Sequence, residues 1–175
     1  YELDLETLVV RGNLVPATSG ETRSVQFRIG PPTGPADLDP QAIERVGAGS
    51  SLAYGQNDGR VKFLFSLPDS ERTPLAWLDH ADGTRPEIDV VRIGDGPWSW
   101  LPAMVGEETA AATAKVFTLD DGIYRRVFGV ERFGKRTELV DYAANEGTTI
   151  RFGDGEFGLA PTDASRYLVR YRLGN

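Results

Sequence analysis

Arg166-Tyr167-Leu168-Val169-Arg170-Tyr171-Arg172, close to the end of the chain, alternates without a break. Tyr167, Val169 and Tyr171 fall on one side of an extended backbone, and Arg166, Leu168, Arg170 and Arg172 on the other. A period of two with one apolar face is the signature of a half-buried strand. Working back, Thr148-Thr149-Ile150-Arg151-Phe152 reads as another strand, ended by the tight turn Gly153-Asp154-Gly155. Val61-Lys62-Phe63-Leu64-Phe65-Ser66-Leu67 puts Val61, Phe63, Phe65 and Leu67 on a common face, and Ser24–Ile29 alternates in the same way.

The rest of the chain follows this pattern. Strands are expected around Leu5–Val10, Leu75–Leu78, Ile88–Ile93, Lys115–Leu119, Ile123–Phe128 and Thr137–Tyr142. Asp121-Gly122 reads as a hairpin turn between two of them, because glycine accepts a positive φ. Gly30-Pro31-Pro32-Thr33-Gly34-Pro35 lacks the amide donors a sheet interior requires and reads as a connector. Two short helices are expected. Asp39-Pro40-Gln41-Ala42-Ile43-Glu44-Arg45-Val46 offers a cap, then proline at the first helical position, and stops before Gly47. Glu107–Ala114 is rich in Ala and Glu. The expectation is a mostly-β fold, β-sandwich-like or of mixed antiparallel sheets, with one or two short helices, as a single β-rich domain over residues 1–175.

Composition narrows the function. Nineteen Lys+Arg against 26 Asp+Glu give a net charge of −7. Nucleic acid and anionic membranes are bound by clustered cations, so neither is expected as a partner. No cysteine is present, which removes disulfides, thiolate catalysis and Cys-ligated metals. A single histidine, His80, sits in the polar run Asp79-His80-Ala81-Asp82-Gly83 and reads as a solvated turn residue. No apolar run approaches the ~20 residues needed to span a bilayer as a helix. The chain opens at Tyr1, and the expectation is a segment of a longer protein.

Asp58, Asp82, Asp95, Asp120, Asp121 and Asp154 each neighbour a glycine or another aspartate. A calcium loop needs six to eight oxygens at fixed close spacing, and no such run occurs; Asp-Gly is ordinary turn chemistry. Glu87, Asp89, Glu138 and Asp141 lie on expected strands, but no motif singles out one pair for glycosidase work. No Gly-x-Ser-x-Gly elbow is present. The sequence therefore nominates no catalytic residue, no cofactor and no metal. Trp77, Trp98 and Trp100 form an aromatic group that reads as core material, a subunit interface or a sugar platform, and Trp98-Ser99-Trp100 would aim two indoles at the same side of a strand. Arg166, Arg170 and Arg172 are candidates for cross-strand or intersubunit ion pairs.

Three segments carry a family resemblance. Phe152-Gly153-Asp154-Gly155-Glu156-Phe157-Gly158-Leu159-Ala160-Pro161, followed by the strand through Val169, Tyr171 and Arg172, resembles the Phe-Gly-Asp-Gly-x-x-Gly-x-x-Pro motif of baseplate J-like and baseplate assembly proteins. These belong to contractile phage tails and phage-tail-like injection systems. Gly12-Asn13-Leu14-Val15-Pro16-Ala17-Thr18-Ser19-Gly20-Glu21-Thr22 is similar to a second segment of that group, and Phe63–Leu67 with Pro74–Leu78 to a third. Ser19 and Phe157 stand where the pattern commonly has histidine, and Ala164 where it commonly has glycine.

The resemblance implies a structural wedge component without enzymatic activity, a segment of a longer baseplate protein assembled in the bacterial cytoplasm. Its implied partners are other wedge subunits and tail tube or sheath proteins, in several copies around the tail axis. Phe152, Gly153, Asp154, Gly155, Gly158, Pro161 and Tyr171 are the motif positions, and Trp98, Trp100, Arg166, Arg170 and Arg172 the candidate contacts. The alternative expectation is a secreted β-sandwich that binds carbohydrate through Trp98 and Trp100.

Overall fold

A computed structural model describes residues 19–29, 42–46, 62–81, 83–105, 109–128 and 138–174. Ten strands are present: β1 Glu21–Ile29, β2 Ala42–Val46, β3 Lys62–Ser66, β4 Trp77–His80, β5 Gly83–Pro86, β6 Ile88–Arg92, β7 Gly96–Trp100, β8 Val116–Phe128, β9 Glu138–Phe152 and β10 Arg166–Leu173. The protein is mostly β, and no helix occurs among the described residues. Strands β4 and β5 form a small separate hairpin; the others pair in the order β1-β10-β6-β7-β8-β9-β3-β2. A short parallel contact, Arg28 with Ala42 and Ile29 with Ile43, joins β2 back to β1.

The alternation read in the sequence explains why the sheet curls. Phe152 on β9 and Tyr167 on β10 lie four strands apart whichever way round the order is followed, yet their ring centroids are 5.2 Å apart. A flat sheet would hold them several strand spacings of ~4.8 Å from each other. Tyr167 and Val169 on β10 are fully buried, as are Phe27, Phe117 on β8 and Ile150 on β9. The inward faces thus share one core, in which Phe27 stacks on Tyr167 at 5.2 Å and Phe152 meets Tyr167 at 5.2 Å. Offset and edge-on aromatic pairs of this kind contribute about 0.5–1.5 kcal/mol each beyond area burial. A single, largely antiparallel sheet folds around its own apolar face.

Three local expectations are corrected. Ala42–Val46, read as the body of a helix, is strand β2 between β1 and β3. Ile43 and Val46 are β-branched, and pairing on both sides overrides the local capping signal. Of the second expected helix, residues 109–114 hold a turn at 112–113 and no helix, and Glu107 and Glu108 lie outside the described residues. Asp121-Gly122 is not a hairpin turn: β8 passes straight through it, with a register shift between Asp120 and Gly122. The Leu5–Val10 strand and the Gly30–Pro35 connector lie outside the described residues.

That register shift divides the longest strand pair. Asp120 pairs with Thr149 and Gly122 with Ala144, so two steps on β8 answer five on β9. The excess is a bulge in β9, where Asn145 (φ +60°) and Gly147 (φ +124°) take left-handed conformations. On one side of the bulge, β8 and β9 belong to the curled sheet. On the other, Gly122–Phe128 pairs with Glu138–Ala144 and, among the described residues, with no third strand. At ~3.4 Å per residue this ribbon reaches roughly 20 Å.

Candidate functional site

The motif loop is built from the backbone outward. β9 ends at Phe152, whose ring is buried, and β10 begins at Arg166 on a distant part of the sheet. Residues 153–165 therefore have to cross. Gly153 and Gly158 press their backbones together: a Cβ at Gly153 would lie 2.3 Å from the carbonyl carbon of Gly158. Gly155 (φ +92°) and Gly158 (φ +82°) need the left-handed region, and the Gly155 amide donates to the Gly158 carbonyl at 3.0 Å. One carboxylate oxygen of Asp154 accepts from the amides of Glu156 and Phe157 at 2.9 and 2.8 Å. Asp154 is thereby a turn-forming residue, as its Asp-Gly chemistry suggests.

Beyond the turn, Leu159 donates to the Ala114 carbonyl at 2.7 Å, while Leu159 and Ala160 pack on the core and Pro161 is buried. Ala164 donates to the Ile29 carbonyl at 3.1 Å in a left-handed conformation, φ +62°. The loop closes an end of the curled sheet. Tyr171, the last motif position, is buried and its hydroxyl donates to the Pro68 carbonyl at 3.0 Å. Burial pushes the Tyr167 and Tyr171 hydroxyls above the usual phenolic range. All seven motif residues thus act on the fold.

On the outer face, Arg170 of β10 pairs with Asp89 of β6 at 2.8 Å, and Arg172 pairs with Glu87, just before β6, at 3.6 Å. These are the cross-strand ion pairs expected from the sequence, and they engage two of the acids considered for catalysis. Arg166 is exposed at the start of β10. Nearby, Asp95 lies between Lys115 at 2.8 Å and Arg92 at 3.3 Å; the hydrogen bond from Lys115 holds its carboxyl below the usual carboxylate range. No family model, curated protein or solved structure matches this chain.

The tryptophans divide between the readings offered for them, and Trp98 takes the core one. Trp98 and Trp100 do share a side of β7, but it is the inner one. Trp98 is only 4% exposed, edge-on to Phe152 at 5.2 Å and to Tyr167 at 5.6 Å. It is core, neither an interface contact nor a stacking platform. Trp100 is partly buried against the same cluster and meets Trp77 edge-on at 5.7 Å. Trp77 is the accessible indole, 45% exposed. Trp77 belongs to the aromatic group named from the sequence, but periodicity does not single it out as the exposed member, because Leu75-Ala76-Trp77-Leu78 is apolar throughout and only the β4–β5 hairpin turns Trp77 outward.

Trp77 lines a cleft at the base of the ribbon, together with Glu71, Arg72, Asp121, Asn145 and Thr148. Within this region the Tyr142 hydroxyl donates to Asp121, and Asp120 is engaged by Tyr124 at 2.9 Å and Arg151 at 2.9 Å. The Tyr124 and Tyr142 rings lie 4.9 Å apart and fasten the ribbon to the bulge.

Proposed function

We propose that this chain is a structural component of the baseplate of a contractile phage tail or phage-tail-like injection system, a wedge subunit acting through protein–protein contacts. One observation carries the reading. Position 164, alanine here and commonly glycine in the family pattern, has φ +62°, the region where glycine is favoured. The residue preference of the pattern thus agrees with a backbone requirement of this loop. The other motif glycines support the same reading: Gly155 and Gly158 through positive φ, and Gly153 through close backbone approach.

A contact role also suits the shape. The ribbon of Gly122–Phe128 and Glu138–Ala144 has unpaired edges among the described residues. A lone two-stranded ribbon is marginal by itself and gains from a partner. In this reading the partners are neighbouring wedge subunits and tube or sheath proteins, with several copies around the tail axis. Co-purification from the native source, followed by mass spectrometry and negative-stain imaging, tests it. Sheath, tube and baseplate proteins on contractile particles are the expected companions; a monomer free of tail proteins would end the proposal.

A further inference from the structure

The cleft beside the ribbon is the place where the fold exposes an aromatic face that its core does not need. Trp77 is held on β4 opposite Pro86, and Trp100 meets it edge-on, so the ring is fixed while nearly half of it stays accessible. The same cleft is lined by Asp121, Asn145, Arg72 and Thr148. Asn145 is set there by the bulge, in a left-handed conformation. We infer that this cleft binds a neutral saccharide, with one sugar ring stacked on Trp77 and its hydroxyls bonded by Asp121, Asn145 and Arg72.

The charges argue against an anionic ligand. Asp120 is paired with Arg151, and the lining residues Glu71, Arg72 and Asp121 carry no excess of positive charge. Tyr142 donates to one oxygen of Asp121, which orients the carboxylate. A fixed, half-exposed indole beside groups that both donate and accept hydrogen bonds matches a sugar ring, which has an apolar C–H face and a polar rim. The proposal is independent of the baseplate reading and uses none of the motif residues.

The test is titration of the protein with cellohexaose, maltoheptaose, chitohexaose and, as a cationic competitor, hexalysine, followed by tryptophan fluorescence and calorimetry. At least one of the three saccharides should bind, and Trp77→Ala and Asp121→Asn should each weaken it at least tenfold. Trp77→Phe, which keeps an aromatic ring, should retain most of the affinity while abolishing the fluorescence change. Unchanged thermal midpoints would show that the variants fold. Absence of binding by all three saccharides, binding of hexalysine alone, or equal binding by Trp77→Ala overturns the proposal. Particle co-purification has no bearing on these outcomes, so the two readings fail separately.

Discussion

The hydroxyl of Tyr171 donates to the backbone carbonyl of Pro68 across 103 residues of chain, at 3.0 Å. It ties the last strand to the turn that follows β3. Tyr171→Phe keeps the ring in the core and removes only this bond. An unfolding titration in urea should show a loss of about 1 kcal/mol, the usual net worth of a hydrogen bond. A loss near zero would mean that solvent satisfies Pro68 equally well.

Tyr167 and Tyr171 also set an alkaline limit. Burial raises both hydroxyls above the ordinary phenolic value of about 10. The unfolded chain therefore loses these protons first as pH rises. Their contribution is complete below about pH 10 and falls as pH climbs from there through the folded-state values. Stability measured between pH 8 and 11 should decline at the upper end. The double variant Tyr167→Phe, Tyr171→Phe should show a shallower decline; an unchanged slope would place its origin elsewhere.

Ala164 holds a left-handed backbone, φ +62°, at a cost to any residue with a Cβ. That cost is about 1–2 kcal/mol in the steric account of left-handed helices. Ala164→Gly should therefore stabilise the protein, by about 1 kcal/mol once the added freedom of the unfolded chain is deducted. Thermal unfolding reads this directly, and a lower midpoint would show that the methyl group packs usefully.

Gly153 and Gly94 separate two reasons for glycine. At Gly153 an added Cβ meets the Gly158 backbone at 2.3 and 2.4 Å, whereas at Gly94 (φ +86°) nothing lies within 4 Å. Gly153→Ala must move the backbone of the loop and should cost about 3 kcal/mol or more, at the upper end of overpacking effects. Gly94→Ala carries only the conformational penalty, about 1–2 kcal/mol. Equal losses in the two variants would contradict the close approach.

Trp98 lies in the core with an indole N–H that has no hydrogen-bond partner among the described residues. Trp98→Ala should cost about 3–5 kcal/mol. Trp98→Phe removes the unpartnered donor along with some volume, and should cost less than half as much. Denaturant midpoints of the two variants provide the comparison.

How far the fold was legible depends on the range of the signal. The alternation at Arg166–Arg172 and Lys62–Ser66 located two strands, because period two is a local property of the backbone. The motif residues were legible for the same reason: the Asp154 turn and its glycines are local chemistry. What decided Ala42–Val46 was pairing with strands distant in sequence, which a cap and a proline do not report. The Asp121-Gly122 dipeptide is equally compatible with a turn and a bulge, and only the β9 register chooses. That Trp98 is buried and Trp77 exposed was not legible, because periodicity tells which residues share a face, while curling decides whether that face is inside.

The pairing of β1 with β10, from Glu21 with Leu173 to Arg28 with Arg166, joins the two ends of the described fold. During synthesis β10 emerges after all the other described strands, so β1 waits for this partner until they have left the ribosome. Closing so long a loop makes folding slow relative to helical domains of the same size. Until then the apolar side of β1, with Phe27 and Ile29, has no core to enter. The nascent chain consequently passes through an interval in which a chaperone that shields exposed strands would raise its yield.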